Sequence, residues 1–336
     1  NSQDLAAGDV SITAANTSQL GAKAWAGAYA SGGTGIGASL VGVLSLDQYA
    51  ALLGDSASIK AANLNVAATN VKVDDIFASL APLLAAGQKK LDEINALITK
   101  ARAATGGLND AAKSESDKTK TAPTKDDDTK ADGVSSARDK WTKALKELAE
   151  TARDLPLLGA NNYYTEALAG AASKDKLAIA GSLGVQVLLN KTSATIGANA
   201  QVAATGAVSV KATDETVSRS LVGGAGASLS GTAVGVSLGI VVNSGEVKGA
   251  IGREAIIAQS GAVAVNATAI QKIELYGAAA AAADANGVAG VIGVIASKTK
   301  VEASTGLHGA FTSSGAFTLD ATNTIDILNV AGGLSL

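Results

Sequence analysis

Residues 231–252 read GTAVGVSLGIVVNSGEVKGAIG, and this stretch decides the fold. Its larger apolar residues fall on every second position, at Val234, Val236, Leu238 and Ile240. Successive side chains of a β-strand point to opposite faces, so a period of two predicts a strand. The residues between them are small, and we therefore expect that such a strand can be closely covered on both sides.

The same pattern occurs four times along the chain. The copies align without gaps at residues 33–54, 176–197, 231–252 and 285–306, and each ends in glycine. The last three of these glycines are 55 and 54 residues apart. A second strand follows each copy, at Leu64 and Val66, Val208 and Val210, Val263 and Val265, and Phe317 and Leu319, with Val10 and Ile12 as an earlier example.

A regular repeat of this kind predicts a mainly β protein, a parallel β-solenoid of about four repeats of about 55 residues. The preference of parallel crossovers predicts a right-handed β-helix. Each repeat divides into three coils of roughly 18 residues, which gives a rod of roughly 60 Å. The alternative is antiparallel, with a hairpin turn at residues 228–232 through Gly231.

Residues 72–175 differ from the repeats and separate a first β part, residues 1–71, from a second, residues 176–336. Two segments carry apolar residues at helical spacing, and we expect an α-helical hairpin insertion with a flexible, charged tip at 106–133. Residues 156–175 lead back to the β frame. The helical positions are Leu84, Leu91, Ile94 and Ile98 in one segment, and Trp141, Leu145, Leu148 and Ala152 in the other.

Composition excludes several classes of function. The chain has no cysteine, so disulfides and thiolate metal sites are excluded. A formal net charge of -3 offers no case for nucleic acid or an anionic membrane surface. The most apolar run, residues 276–296, contains Asp284 and Asn286 and is mostly Ala and Gly, so we expect no transmembrane segment.

Four short stretches resemble the β-strand repeats of large filamentous adhesins of Gram-negative bacteria, the haemagglutinin and leukotoxin-like group. They are GAVSVKATD at 206–214, VGGAGAS at 222–228, VGVSLGIVVN at 234–243 and the closing AIG at 250–252. The resemblance covers roughly residues 7–70 and 176–321. It implies secretion across the outer membrane, a β-helical rod and a role in attachment or cell–cell contact. Such adhesins are usually far longer, so the chain is either an excised segment or a short relative that polymerises.

The sequence offers little for catalysis, and we predict no enzyme and no catalytic, cofactor-binding or metal-binding residue. His308 is the only histidine and reads as an exposed turn residue. Residues 223–228 superficially suggest a phosphate loop but lack its Gly-Lys-Ser/Thr ending, and Asp126 begins a solvated charge run. A polysaccharide-active β-helix enzyme would need acids converging on one face; the candidates Asp214, Glu215, Arg219, Glu246, Arg253 and Glu254 do not repeat in one column.

Two functions from different classes remain. The first is a structural and adhesive segment of a cell-surface or secreted filamentous protein, whose rigid β rod displays the helical hairpin to a receptor or glycan on a host or neighbouring cell. The second is an extracellular filament subunit that polymerises end to end through uncapped strand edges. The largest groups of the region expected to be exposed are Trp141, Tyr163 and Tyr164, and none is singled out as a binding residue.

Overall fold

The computed structural model of the chain describes residues 8–71 and 163–335, and these form three sheets. Sheet A contains β1 (Val10–Asn16), β2 (Leu20–Ala30), β5 (Leu64–Asn70), β6 (Tyr163–Ser173), β9 (Val208–Ser228), β12 (Val263–Ala283) and β15 (Phe317–Ser335). Sheet B contains β3 (Thr34–Leu53), β7 (Leu177–Ile196), β10 (Thr232–Ile251) and β13 (Asn286–Thr305). Sheet C contains β4 (Ser58–Ala61), β8 (Gln201–Ala204), β11 (Ile256–Ser260) and β14 (Ala310–Ser313).

Every strand pair in these three sheets is parallel. Sheet B runs in the order β3-β7-β10-β13 and sheet C in the order β4-β8-β11-β14. In sheet A, β9 is flanked by β12 on one side and by β5 and β6 on the other. The described residues therefore form a mainly β structure of stacked parallel strands, consistent with a β-solenoid. The alternative, an antiparallel hairpin at 228–232, is excluded because β9 and β10 lie in different sheets.

One whole repeat makes one turn of the stack. Val263 pairs with Val208 on one side and with Phe317 on the other, and Leu238 pairs with Leu183 and Ile292 in the same way. The predicted division into coils of about 18 residues is therefore wrong. Each repeat consists of two strands of about 20 residues and one short strand. The five stacked strands of sheet A therefore extend about 19 Å along the stack, at about 4.8 Å per step, instead of the roughly 60 Å expected from shorter coils.

The insertion interrupts one long strand of sheet A. Asp214 in β9 pairs with Asn70, the last residue of β5, and Ser218 pairs with Tyr163, the first residue of β6. Residues 71–162 therefore stand where β9 has only residues 215–217. The predicted insertion, 72–175, overlaps the β structure by all of β6. The predicted helical hairpin itself lies outside the described residues.

Stacked corners end the long strands of sheet B. The amide of Gly252 donates to the carbonyl of Ile196, and the amide of Gly306 donates to that of Ile251, each at 2.7 Å. A Cβ at Gly252 would lie 2.5 Å from the amide nitrogen of Ala198, so only glycine fits this approach. Two residues after each corner the backbone has positive φ, at Ser56, Asn199, Glu254 and His308.

The main apolar core lies where sheets A, B and C enclose a common interior. It is built from inward residues such as Val66, Val210 and Val265 of sheet A, Ile196 and Ile251 of sheet B, and Val202 and Ile257 of sheet C, all at most 2 % exposed. Burial of these branched side chains contributes about 1.5–3 kcal/mol each relative to exposure.

At the opposite end of the long strands, sheets A and B lie so close together that their backbones are in contact. A Cβ on Gly226 of β9 would lie 2.6 Å from the carbonyl oxygen of Val234 in β10, and one on Gly235 would lie 2.8 Å from that of Gly224. The small residues of the repeat therefore face inward here, and the large apolar residues face outward. The expectation that both faces are closely covered is wrong for β3, whose outward Leu40 is 68 % exposed.

Candidate binding surfaces

A cluster of polar side chains fills the interior between the apolar core and the glycine-rich end, which is the region around Gly224, Gly226 and Gly235 where sheets A and B are in backbone contact. Its first part is a column of inward residues in sheet A, Asn16, Asn70 and Asp214, which pair with one another along the stack. The Asn70 side-chain amide donates to Asp214 Oδ1 at 2.6 Å, and both residues are at most 1 % exposed. This column marks the point at which the chain leaves sheet A.

Sheet B supplies the opposite side of this polar cluster. The Tyr163 hydroxyl donates to Asp47 Oδ2 at 2.5 Å and lies 3.4 Å from Asn190 Oδ1. The Asn190 side-chain amide donates to Thr216 Oγ1 at 3.0 Å, and that hydroxyl lies 3.4 Å from Asp214 Oδ2. Both roots of the insertion, Asn70 and Tyr163, are therefore held by buried hydrogen bonds.

Burial is the main cause of the shifted pKa values in this polar cluster. It raises the pKa of Asp214 to about 6, against the opposing effect of the hydrogen bonds from Asn70 and Thr216. Burial, together with the hydrogen bond to the Asp47 carboxylate, raises the pKa of the Tyr163 hydroxyl well above its usual value. The phenol therefore stays protonated and remains a hydrogen-bond donor at physiological pH.

Aromatic and charged side chains share the outer face of sheet A. Trp25 and Tyr29 of β2 are 48 % and 60 % exposed and point the same way along the strand. The Trp25 indole N–H donates to Glu166 Oε1 at 2.6 Å, and the Lys23 ammonium lies 3.4 Å from Glu166 Oε2. The same ammonium lies 5.5 Å from the centre of the Tyr164 ring. These contacts orient the Trp25 ring at the surface.

An ion pair continues this outer face along the stack. Arg219 of β9 and Glu274 of β12 are register partners, and the arginine Nε donates to Glu274 Oε2 at 2.5 Å. Lys272 lies 2.9 Å from the other oxygen of the same carboxylate. Burial opposes ionisation of Glu274, but Arg219 and Lys272 lower its pKa below the usual value. Glu274 is therefore a carboxylate held ionised by two cations.

The outer face of sheet B carries a contiguous set of exposed apolar side chains. We call it the apolar face and define it by the outward residues in the first half of β3, β7, β10 and β13. Several are more than half exposed, including Ile36, Leu40, Leu44 and Ile292. In stacking order its five columns are Ile36-Ile179-Val234-Val288, Ala38-Gly181-Val236-Gly290, Leu40-Leu183-Leu238-Ile292, Gly42-Val185-Ile240-Val294 and Leu44-Val187-Val242-Ala296.

The second half of the same outer face is charged, and we call it the charged end. Lys191 lies 3.1 Å from Glu246, and Lys300 lies 2.8 Å from Glu302. Lys248 lies 3.6 Å from Glu302. The hydrogen bond from Lys300 lowers the pKa of Glu302 to about 2, with Ser304 and Lys248 contributing. Both signs of charge are therefore interleaved across neighbouring strands.

The residues considered for catalysis are spread over separate parts of the structure. Asp214 faces the interior, Arg219 lies on the outer face of sheet A, and Glu246 lies on that of sheet B. Arg253 and Glu254 occupy a corner, and Glu215 projects opposite to Asp214. The six positions are thus not brought together.

Two motif interpretations agree with the structure. His308 is an exposed corner residue with a φ of 61°, equivalent to Ser56, Asn199 and Glu254. Residues 223–228 belong to β9, where Gly224 and Gly226 pack against β10, so they form a close-packed strand. Asp126 and Trp141 lie outside the described residues.

The prediction for Tyr163 and Tyr164 was wrong. They were expected in an exposed segment leading back to the β frame, but both are buried in β6, at 0 % and 7 % exposure. The aromatic pair on β2 and the apolar face were missed as surfaces. The signal for the apolar face was present in the alternation of large and small residues, which does not by itself say which set faces inward.

Across residues 8–71 and 163–335, no group of three or more His, Cys, Asp or Glu side chains is placed to hold a metal ion. Within the same residues, no helix has the length and apolar character required to cross a membrane. No protein-family model, no curated protein and no solved structure matches the chain. The class defined by the structure is therefore a mainly β protein of stacked parallel strands in three sheets.

Proposed function

We propose that the chain is a non-enzymatic structural and adhesive segment of an extracellular, surface-attached or secreted filamentous protein. The stacked sheets are the scaffold, and residues 71–162 are the part presented for attachment to a receptor or glycan on another cell. The observation that carries the proposal is the place of this segment, which leaves and rejoins one strand of sheet A at Asn70 and Tyr163.

The rigidity of both roots supports a display function. Asn70 and Tyr163 are fully buried, and their side chains are hydrogen-bonded to Asp214 and Asp47. A segment with fixed roots carries a load or presents a surface without loosening the sheets around it. Long excursions from a rigid scaffold are common locations for binding. The repeat resemblance to filamentous adhesins points in the same direction.

Other strands of sheet A show how residues 71–162 can be replaced by a short connection. In β9 the equivalent position is spanned by residues 215–217, and between β1 and β2 it is spanned by residues 17–19. Replacing residues 71–162 by Glu-Thr-Val, the sequence of 215–217, should give an uninterrupted strand. We expect the shortened chain to keep its β circular-dichroism spectrum and its melting temperature within a few degrees.

The functional test compares the intact and shortened chains as coatings on beads, applied to cultured epithelial cells and to a glycan array. Attachment by the intact chain that is lost in the folded, shortened chain supports the proposal. Equal attachment by both chains would move the binding function to the sheets. A cleaved polysaccharide in the presence of the intact chain would overturn the non-enzymatic assignment.

A second function, end-to-end assembly as a filament subunit, is favoured by the edge strands. In the described residues β3 and β13 each pair along one side, and both faces of β15 are exposed. Such strands present backbone donors and acceptors that template pairing with another copy. Filaments with an axial repeat in electron micrographs would support this assignment, and particles that never elongate at high concentration would exclude it.

A further inference from the structure

The apolar face of sheet B lies at the upper end of the size range of exposed apolar patches. Its five columns span about 30 Å along the strands and its four strands about 19 Å across them, which is roughly 570 Å². The largest apolar patch on a typical monomer is about 300–600 Å² and often functional. Exposed side chains such as Ile36, Leu40 and Leu44, each above 60 %, would be better covered than left in water.

We propose that the apolar face is covered by the same face of a second copy of this chain, packed sheet on sheet with the two-fold axis parallel to the strands. This pairing is lateral, so it goes beyond the proposed function and is separate from end-to-end assembly. In this orientation β3 faces β13 of the second copy, and β7 faces β10. Leu40 then opposes Ile292 of the second copy, and Leu183 opposes Leu238.

Charge complementarity selects this orientation. After the mixed column Leu46, Leu189, Ser244 and Lys298, the next column of the charged end reads Gln48, Lys191, Glu246 and Lys300 along the stack. Reversing the column about an axis parallel to the strands places Lys191 opposite Glu246 of the second copy, and Glu246 opposite Lys191. No like charges face each other in that column. An axis across the strands would leave the charged end outside the contact.

The area is sufficient for a stable dimer. The apolar face alone would bury roughly 1,100 Å² counted over both copies, and the charged end raises this into the range of about 1,200–2,000 Å² that is usual for specific interfaces. The side chains are short and branched, and they stand on regular strands. Two such faces pack about 10 Å apart, as the layers of a β-sandwich do.

The first test is sedimentation equilibrium of the intact chain from low to high micromolar concentration. We expect a dimer of about 66 kDa, twice the chain mass of 32.8 kDa. The double variant Leu40→Lys with Ile292→Lys sets like charges opposite each other at exposed positions. It should weaken association by about 30-fold or more, the effect of losing one hot spot.

The matched control is Leu307→Lys, which makes the same change at a corner leucine that is 74 % exposed and lies outside the apolar face. It should associate like the intact chain. Circular dichroism establishes that all variants keep the β spectrum. A monomeric intact chain at about 100 µM, or a double variant that dimerises as tightly as the control, overturns the proposal.

Orientation is tested with a spin label, because the chain has no cysteine. The variant Gln48→Cys carries the label at an exposed position of β3. An axis parallel to the strands places the two labels about 20 Å apart, whereas an axis across the strands places them about 50 Å apart. The longer distance overturns the proposed packing. Binding of monomeric chain to phosphatidylcholine vesicles, lost in the double variant, would assign the face to a lipid surface instead.

Discussion

The Tyr163 hydroxyl donates a hydrogen bond of 2.5 Å to Asp47 Oδ2 and joins sheet A to sheet B beside the insertion. Tyr163 is the first residue after the insertion and is fully buried, while Asp47 lies in β3. The pair links the rejoining point of the chain to the opposite sheet. It is thus both a packing contact and the anchor of one root.

Removing this hydroxyl should weaken the scaffold. Tyr163→Phe keeps the ring but removes one donor to Asp47 Oδ2, to which the Ser45 hydroxyl also donates, so the change should cost about 1.5 kcal/mol. Urea unfolding followed by circular dichroism measures the change. The matched control is Tyr29→Phe, since that ring is largely exposed, and its effect should stay within about 0.5 kcal/mol. Equal effects in both variants would show that the hydrogen bond to Asp47 is not stabilising.

Asp214 should make stability depend on pH. Burial raises its pKa in the folded protein to about 6, above the 3.8 of the unfolded chain, so folding favours the protonated form. The favourable contribution is fully present below about pH 4 and is lost as the pH rises through 6. Asp214→Asn should remove this dependence and stabilise the protein at pH 7.5 by up to about 3 kcal/mol.

Urea unfolding of the intact chain and Asp214→Asn at pH 4, 5, 6 and 7.5 measures this effect as a difference between the two proteins. Taking the difference cancels other titrating groups, such as Glu274, whose lowered pKa acts in the opposite direction. Parallel stability curves for the two proteins across this range would contradict the prediction.

The ion pair on the outer face of sheet A should contribute more than the pairs at the charged end. The Arg219 and Glu274 side chains are 17 % and 5 % exposed, so Glu274→Gln breaks a largely buried charge pair and should cost about 3 kcal/mol. The same change at Glu302, a carboxylate that is 32 % exposed and pairs with exposed lysines, should cost less than about 1 kcal/mol. Thermal unfolding at low protein concentration compares them. A larger loss for Glu302→Gln would reverse this ranking.

The strand architecture was readable from the sequence because each repeat keeps a period of two over ten or more residues. The length of one coil was not, since a period of about 55 fits one long turn as well as three short ones. Direct pairing of Val208 with Val263 decides between them. The sequence also did not show which set of alternating residues faces the interior. The alternation defines two faces of each strand, and only the close approach of β9 and β10 shows that the small residues face inward.

The surfaces were harder to predict than the strands. Tyr163 and Tyr164 follow Asn161 and Asn162 and are not preceded by an alternating pattern, so nothing local marks them as the start of a strand. Their burial results from pairing with β2 on one side and β9 on the other, which are distant in the sequence. The ion pair between Arg219 and Glu274 has the same origin, because one repeat separates its members.

The glycine-rich end should tolerate no added methyl group on its inner side. A Cβ at Gly235 would lie against the carbonyl oxygen of Ala280 and 2.8 Å from that of Gly224, and these are backbone atoms that cannot rotate away. Gly235→Ala must therefore push sheets A and B apart, which should cost about 2 kcal/mol or more. Gly27→Ala is the matched control, since no atom lies within 4 Å of its Cβ position on the outer face of β2. Alanine there should be neutral or stabilise by about 0.5 kcal/mol, because it restricts the unfolded chain. Urea unfolding of the two variants measures both effects, and equal stabilities would show that the sheets are not in backbone contact at this end.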